Sequence, residues 1–181
     1  MEQLCTFCQR VREEFPEKNI VPGNVVSREV AEELILNGKV DVIKIGIGPD
    51  GARTTRLKTG VGMPQLSAVL ECADAAHRVG GHIISDADIT YPGDMAKAFG
   101  GGANFVMVGG QFAGHDQNPG ECVEENGRQY KMFYGMSSHM AQKIHYGKMN
   151  SYRSSEGRVS NIPYRGDLST TVHDFLDGLR M

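Results

Sequence analysis

The sequence predicts an α/β fold, a parallel sheet covered by helices, and three observations predict it. Short runs rich in β-branched residues alternate with segments of helical periodicity. The runs lack a polar face, as strands do when helices cover both sides of a parallel sheet. Glycines collect where the runs end, at Gly46 and Gly48, Gly80 and Gly81, Gly100 to Gly102, and Gly109 and Gly110. Two architectures commonly carry this pattern, a doubly wound open sheet and a β/α barrel.

The elements follow in order. Leu4, Phe7, Cys8, Val11 and Phe15 recur at helical spacing until Pro16. A short apolar segment covers 20–26. Ser27 is placed to cap a helix over 28–37, whose stripe is Val30, Ala31, Leu34 and Ile35 and which Gly38 closes. The run 40–47 reads as a strand buried on both faces. Pro64 opens a helix carrying Leu66, Val69, Leu70 and Ala73, and Gly80-Gly81 stops it. A strand over 82–85 follows, then a helix from Pro92 with Met95, Ala96 and Phe99 inward, then a strand over 104–108. From 113 to about 167 the pattern gives way to a polar, glycine-rich stretch, and a loop of that length is usually functional. Val172, Phe175, Leu176 and Leu179 restore helical spacing over 168–180.

Bulk properties narrow the function. With 181 residues the chain is sized for one domain, and 40% hydrophobic and 23% charged residues are ordinary for a globular protein. A formal charge of −3 with scattered Lys and Arg argues against nucleic acid as a partner. No run reaches the roughly 20 apolar residues of a membrane span, and no signal-peptide pattern is read. Cys5, Cys8, Cys72 and Cys122 show no disulfide framework, so a reducing cytoplasm is expected. Cys5 and Cys8 share the buried face of the first helix and have no second metal-type pair. His77 and His82 read as packing or capping residues, and Asp174 and Asp177 as a solvated helix face. The strand ends that carry glycine or acid, 46–49, 85–86 and 109–110, would point the same way. Backbone N–H groups there suit a ligand, with Asp86 bonding one end of it.

Those strand ends also carry a resemblance. Lys44-Ile-Gly-Ile-Gly-Pro49, Thr54-Thr-Arg56, Lys58-Thr-Gly-Val-Gly62, Pro64-Gln-Leu-Ser-Ala68, Glu71-Cys-Ala-Asp-Ala-Ala-His77 and Pro92-Gly-Asp94 resemble the IMP dehydrogenase/GMP reductase superfamily. Phe105-Val-Met-Val-Gly-Gly110, Phe133-Tyr-Gly-Met-Ser-Ser138 and Tyr152-Arg-Ser-Ser-Glu-Gly157 resemble its reductase branch. The motifs run in order along nearly the whole chain. The resemblance implies a TIM-type (β/α) barrel, here only its C-terminal half of about four strands. Residues 1–181 would form one partial barrel domain, and 113–167 a flap or active-site loop within it.

The implied activity is NADPH-dependent reductive deamination of GMP to IMP and ammonia, with a cysteine thiolate attacking purine C2. By position, Thr55 and Glu156 would handle protons. Asp86, Ala87, Asp88, Gly109, Gly110, Gly135, Met136, Ser137, Arg153, Ser154, Ser155, Glu156 and Gly157 would hold GMP. Ile47, Gly48, Met136, Tyr152 and Arg153 match positions that touch NADPH. Backbone at Gly48, Asp50, Arg53 and Arg56 matches a loop that binds a monovalent cation such as K+. The family also implies a homo-oligomer, a tetramer of full barrels.

Three departures bear on competence. Where the family reads Gly-Pro-Gly-Ser-Val-Cys-Thr-Thr-Arg, this chain has Gly48-Pro-Asp-Gly-Ala-Arg-Thr-Thr-Arg56, so Arg53 stands at the nucleophile. A guanidinium stays protonated and cannot attack a purine carbon. Asp88, in Ser85-Asp86-Ala87-Asp88-Ile89, sets a carboxylate near a nucleotide phosphate. Four strands do not close an eight-stranded barrel. The expectation is therefore a fragment or altered copy of a reductase. The alternative is an inactive nucleotide-binding pseudoenzyme or partner of a full-length subunit, and a weaker one is IMP dehydrogenase.

Overall fold

In a strand successive side chains take opposite faces, and the apolar runs obey that alternation. The molecule is described as a computed structural model covering residues 2–48, 55–86, 89–135, 138–146 and 159–181. Four strands, β1 (Gly23–Val25), β2 (Val42–Ile45), β3 (His82–Asp86) and β4 (Phe105–Met107), form one parallel sheet in sequence order. Lys44 pairs with Ile84, Ile84 with Phe105 and Asp86 with Met107. The α/β class and the parallel sheet agree with the sequence.

Helix α1 (Glu2–Glu14) buries Cys5 and Cys8, the face its periodicity predicts. Arg12 anchors its end, donating to the carbonyls of Pro16, Lys18 and Lys39 and to Asp41 Oδ2 at 2.5 Å. Burial raises the Asp41 pKa, but the Ile20 N–H and the Arg12 guanidinium outweigh it and hold the carboxyl below its ordinary value. Helix α2 (Arg28–Leu36) buries Ala31 and Leu34. After the short α3 (Thr55–Thr59), α4 (Gln65–Arg78) packs on α2, β2 and β3, and α5 (Pro92–Gly100) on β4. Leu34, Ile43, Ile45, Val69, Cys72 and Ile83 are fully buried and form the centre of the core.

Two helical stripes differ from expectation. On α4 the buried set is Ala68, Val69, Cys72, Ala73, Ala75 and Ala76, while Leu66 and Leu70 are exposed. Small residues let the helix approach its neighbours closely, and the leucines are left at the margin. On α5, Met95 and Ala98 are inward, whereas Ala96 and Phe99 face out. Phe7, Phe15, Leu176 and Leu179 of the terminal stripes are likewise exposed. His77, read as a packing residue, meets Asn104 Oδ1 at 3.0 Å.

The stretch 113–167, expected as loop, contains regular structure. Strands β5 (Cys122–Glu125), β6 (Arg128–Tyr134) and β7 (Val159–Pro163) form an antiparallel sheet, and α6 (His139–Tyr146) lies between β6 and β7 in sequence. Asn126 and Gly127 turn the first hairpin with φ of 53° and 72°, the two positive values that a type I′ turn requires. The chain then enters α7 (Leu168–Arg180), which packs on α5, with Phe175 buried. Among the described residues no helix is long and apolar enough to cross a membrane.

Candidate functional site

Parallel pairing in register brings the C-terminal ends of β2, β3 and β4 to one edge of the sheet. That edge gathers Ile47 and Gly48 after β2, Asp86 at the end of β3, and Gly109 and Gly110 after β4. Alternation then sorts the faces. Ile43, Ile45, Ile83 and Ser85 are fully buried on the helical side, where Gln65 of α4 donates to Ile45 O at 2.8 Å and Ser85 Oγ at 3.1 Å. Val42, Lys44, Ile84, Asp86, Phe105 and Met107 share the opposite face. The sequence predicts burial on both faces, yet Phe105 and Met107 are 50% and 47% exposed. Among the described residues the helices cover one side only.

On the open face lies one charged cluster. Asp86 is only 6% exposed; its Oδ2 forms an ion pair with Lys44 Nζ at 2.8 Å and accepts from Asn24 Nδ2 at 2.9 Å. The same Asn24 nitrogen donates to Gly46 O at 2.9 Å. Gly46 has φ +140°, and a Cβ there would collide with the Asp86 carbonyl oxygen, so glycine lets β2 run close beside β3. Sequence reasoning named Asp86 and missed Lys44 and Asn24 as its partners. Their signal was positional: Lys44 lies near the C-terminal end of the adjacent strand β2 on the face of Asp86, and Asn24 lies one strand further, on β1.

Around this cluster the other expected residues take varied roles. Gly109 and Gly110 begin a 3₁₀ turn whose N–H groups from Phe112 and Ala113 bond back to the glycine carbonyls at 3.0 and 3.2 Å. A Cβ at either glycine would meet nothing within 4 Å, so the backbone there faces open space. Gly48, with φ +89°, is different: a Cβ would sit 2.7 Å from Arg56 Cγ. Arg56 fills that space and donates to Met63 O at 2.8 Å. Glycine at position 48 thus leaves room for the Arg56 side chain. Thr55 opens α3, and its carbonyl accepts from Thr59 Oγ1 at 2.8 Å. The Arg56 carbonyl accepts from Gly60 N–H at 3.0 Å and keeps one lone pair for a cation.

Gly135 follows β6 and accepts from Ser138 N–H at 2.9 Å, at the turn into α6. No hydrogen bond among the described residues joins it to the Asp86 cluster. Asp50, Arg53, Ala87, Asp88, Met136, Ser137, Tyr152, Arg153, Ser154, Ser155, Glu156 and Gly157 lie outside the described residues. No described cysteine is suited to replace the nucleophile. Cys5, Cys8 and Cys72 are buried, burial pushes the Cys72 thiol up to about 12, and Cys122 sits exposed on β5.

A cavity of about 370 Å³ lies on the helical side of the sheet, lined among others by Arg56, Gln65, Ser85, Asp94 and Lys97. It is separated from Asp86 by the sheet itself.

Residues 1–181 match the family described as IMP dehydrogenase / GMP reductase domain. The chain is similar to a GMP reductase of Ascaris suum, 60% identical over 179 residues that cover 99% of this chain and 50% of the relative. It is 56% identical to GMP reductase 2 of Bos taurus, over 99% of this chain and 51% of the relative. A GMP reductase of Yersinia pestis gives the same identity and the same shares. The chain spans about half the length of the curated relatives it matches.

Proposed function

The chain belongs to the IMP dehydrogenase / GMP reductase family, and from that premise we propose that it carries a purine-nucleotide site of a GMP reductase. The whole enzyme's reaction would be reductive deamination of GMP to IMP and ammonia. NADPH, which the family implies, would supply the hydride. In this reading the four parallel strands are half of an eight-stranded barrel, and the face bearing Asp86, Phe105 and Met107 is its interior. The stretch 113–167 is the flap over that interior.

The observation that carries the reading is Asp86 beside the Gly109–Gly110 turn. Asp86 pairs in register with Met107, two residues before Gly109, so the carboxylate and the glycines stand on adjacent strands at one edge of the sheet. A carboxylate accepts from hydroxyls, and open glycine backbone suits phosphate oxygens. Ribose on Asp86 and phosphate on the glycines is the arrangement that satisfies both. Arg153 and the backbone of Gly135 to Ser137 would close over the nucleotide, with Thr55 and Glu156 at the leaving amine. A monovalent cation would take the carbonyls of Gly48, Asp50, Arg53 and Arg56. Assembly into a tetramer rests on the family resemblance alone.

Arg53 favours a second reading for the chain as it stands: binding without turnover. It can hold a nucleotide but offers no thiolate at position 53. Calorimetric titration separates the readings from error. GMP should bind, guanosine should bind more weakly, and Asp86→Asn should weaken GMP. Equal binding of GMP and guanosine, or indifference to Asp86→Asn, would sink the site assignment. NADPH oxidation in the presence of GMP by the chain with Arg53 in place would sink the binding-only reading.

A further inference from the structure

We propose that Lys44 and Asn24 are positioning residues that fix the Asp86 carboxylate for a ribose diol. The inference rests on the nucleotide reading above and deepens it.

Three adjacent strands contribute one group each. Asn24 comes from β1, Lys44 from β2 and Asp86 from β3. Lys44 pairs with Ile84, two residues before Asp86, so lysine and aspartate are diagonal neighbours on one face. A long side chain is needed to cross that diagonal, and lysine closes it at 2.8 Å. Asn24 reaches the same oxygen at 2.9 Å from the far side of β2. Its nitrogen is itself held by Gly46 O, so the amide orientation is set by backbone rather than by the carboxylate. Both donors therefore converge on Oδ2 alone.

This convergence makes the two carboxylate oxygens unequal. Oδ2 lies against a cation and an amide, and both approach that oxygen rather than Oδ1. Oδ1 is thus the acceptor left for hydroxyl hydrogens, in a rotamer that does not have to be selected when ligand arrives. The lysine has a second effect. It balances the carboxylate charge, so an anionic nucleotide meets a neutral pair rather than a buried anion. A largely buried ion pair of this kind adds little to stability compared with apolar packing, and its presence here fits a geometric role.

The test uses the full 181-residue chain. GMP and its 2′,3′-dideoxy analogue are titrated into the wild type, Asp86→Asn, Lys44→Met, Lys44→Arg and Asn24→Ala. Circular dichroism checks that each variant folds. The wild type should prefer GMP over the dideoxy nucleotide by roughly tenfold, the value of a charge-assisted hydrogen bond. Asn24→Ala should cut that preference to about threefold or less while dideoxy affinity changes little, and Lys44→Met should cut the ratio as far while weakening both nucleotides, since the uncovered carboxylate repels both phosphates. Lys44→Arg, which keeps the charge, should restore most of it. A structural role alone would weaken both nucleotides equally and leave the ratio intact. If Asp86→Asn abolishes the preference while Lys44→Met and Asn24→Ala keep it, the positioning role is wrong and the site reading stands. If the wild type shows no preference, the site reading itself fails. Should Lys44→Met not fold, Asn24→Ala and Lys44→Arg decide the matter.

Discussion

The two sheets of this chain are held together by different means. The parallel sheet buries Ile43, Ile45 and Ile83 completely under α2, α4 and α5. The antiparallel sheet buries Lys131 and otherwise leaves its side chains half-buried or exposed. What fixes it is polar. The Lys131 ammonium donates to Asn118 O at 2.6 Å and Asp116 O at 3.2 Å, and Tyr164 Oη donates to Asp116 Oδ1 at 2.7 Å. Gln117 bridges to the start of α7, donating to Asp167 Oδ2 at 2.7 Å and accepting from Leu168 N–H at 3.0 Å. Buried His115 bonds Thr171 Oγ1 at 2.8 Å through Nε2. The first sheet is a scaffold made by apolar burial, the second an outwork made by hydrogen bonds.

The sharpest way to break this comparison is to remove apolar volume from each side. Ile43→Ala should cost about 2–5 kcal/mol and lower the midpoint of global urea unfolding. The partly buried Val123→Ala on β5 should cost well under that, and equal losses would refute the division. Gly46→Ala comes next, at about 1–3 kcal/mol, because it joins a left-handed φ to a collision with the Asp86 carbonyl. Thermal melting reads that loss. Lys131→Met leaves two carbonyls without their donor, and about 1–3 kcal/mol should be lost. Amide exchange should quicken over β5 to β7 and stay unchanged over β2 and β3. Quickening in both would mean that the sheets unfold as one unit.

The smallest effect is a pH dependence at the junction. The Ser169 side chain and N–H, with Gln117, hold the Asp167 carboxyl down at about 2. Its folded pKa lies below the ordinary value, so its capping of α7 is fully present above pH about 4. It is lost as pH falls toward 2. The Ser169 amide resonance should follow that titration, and Asp167→Asn should flatten it. An unchanged profile in the variant would exclude the cap.

The same division explains what was legible in the sequence. The strands 40–47, 82–85 and 104–108 announce themselves because burial demands β-branched runs, and β2, β3 and β4 fall inside or beside them. The strands β5 to β7 carry no β-branched run, since Glu124, Glu125, Arg128 and Gln129 crowd the hairpin and β6 holds Lys131 among Tyr130, Met132, Phe133 and Tyr134. One signal was there: Asn126-Gly127 between two such segments is the strongest short hairpin mark. In the site, Asp86 and the paired glycines were readable as strand-end residues. Lys44 and Asn24 were not, because their role depends on which strands are neighbours, and periodicity does not report strand order. The exposed Leu66, Leu70 and Phe99 have the same origin: a helical period gives a stripe but not the width of the partner that covers it.

The excursion that carries the antiparallel sheet leaves and re-enters the fold at one point. His115 and Gly166 form a bridge there, with Arg165 N–H on Gly114 O at 2.9 Å and Asp116 N–H on Gly166 O at 3.0 Å. Chain ends that already touch need no span to connect them. Topologically the segment between them is a cassette: a short turn can replace it, or a longer insert occupy it, without shifting the register of the parallel strands. Evolution and engineering alike can therefore rewrite this segment while leaving the parallel sheet alone.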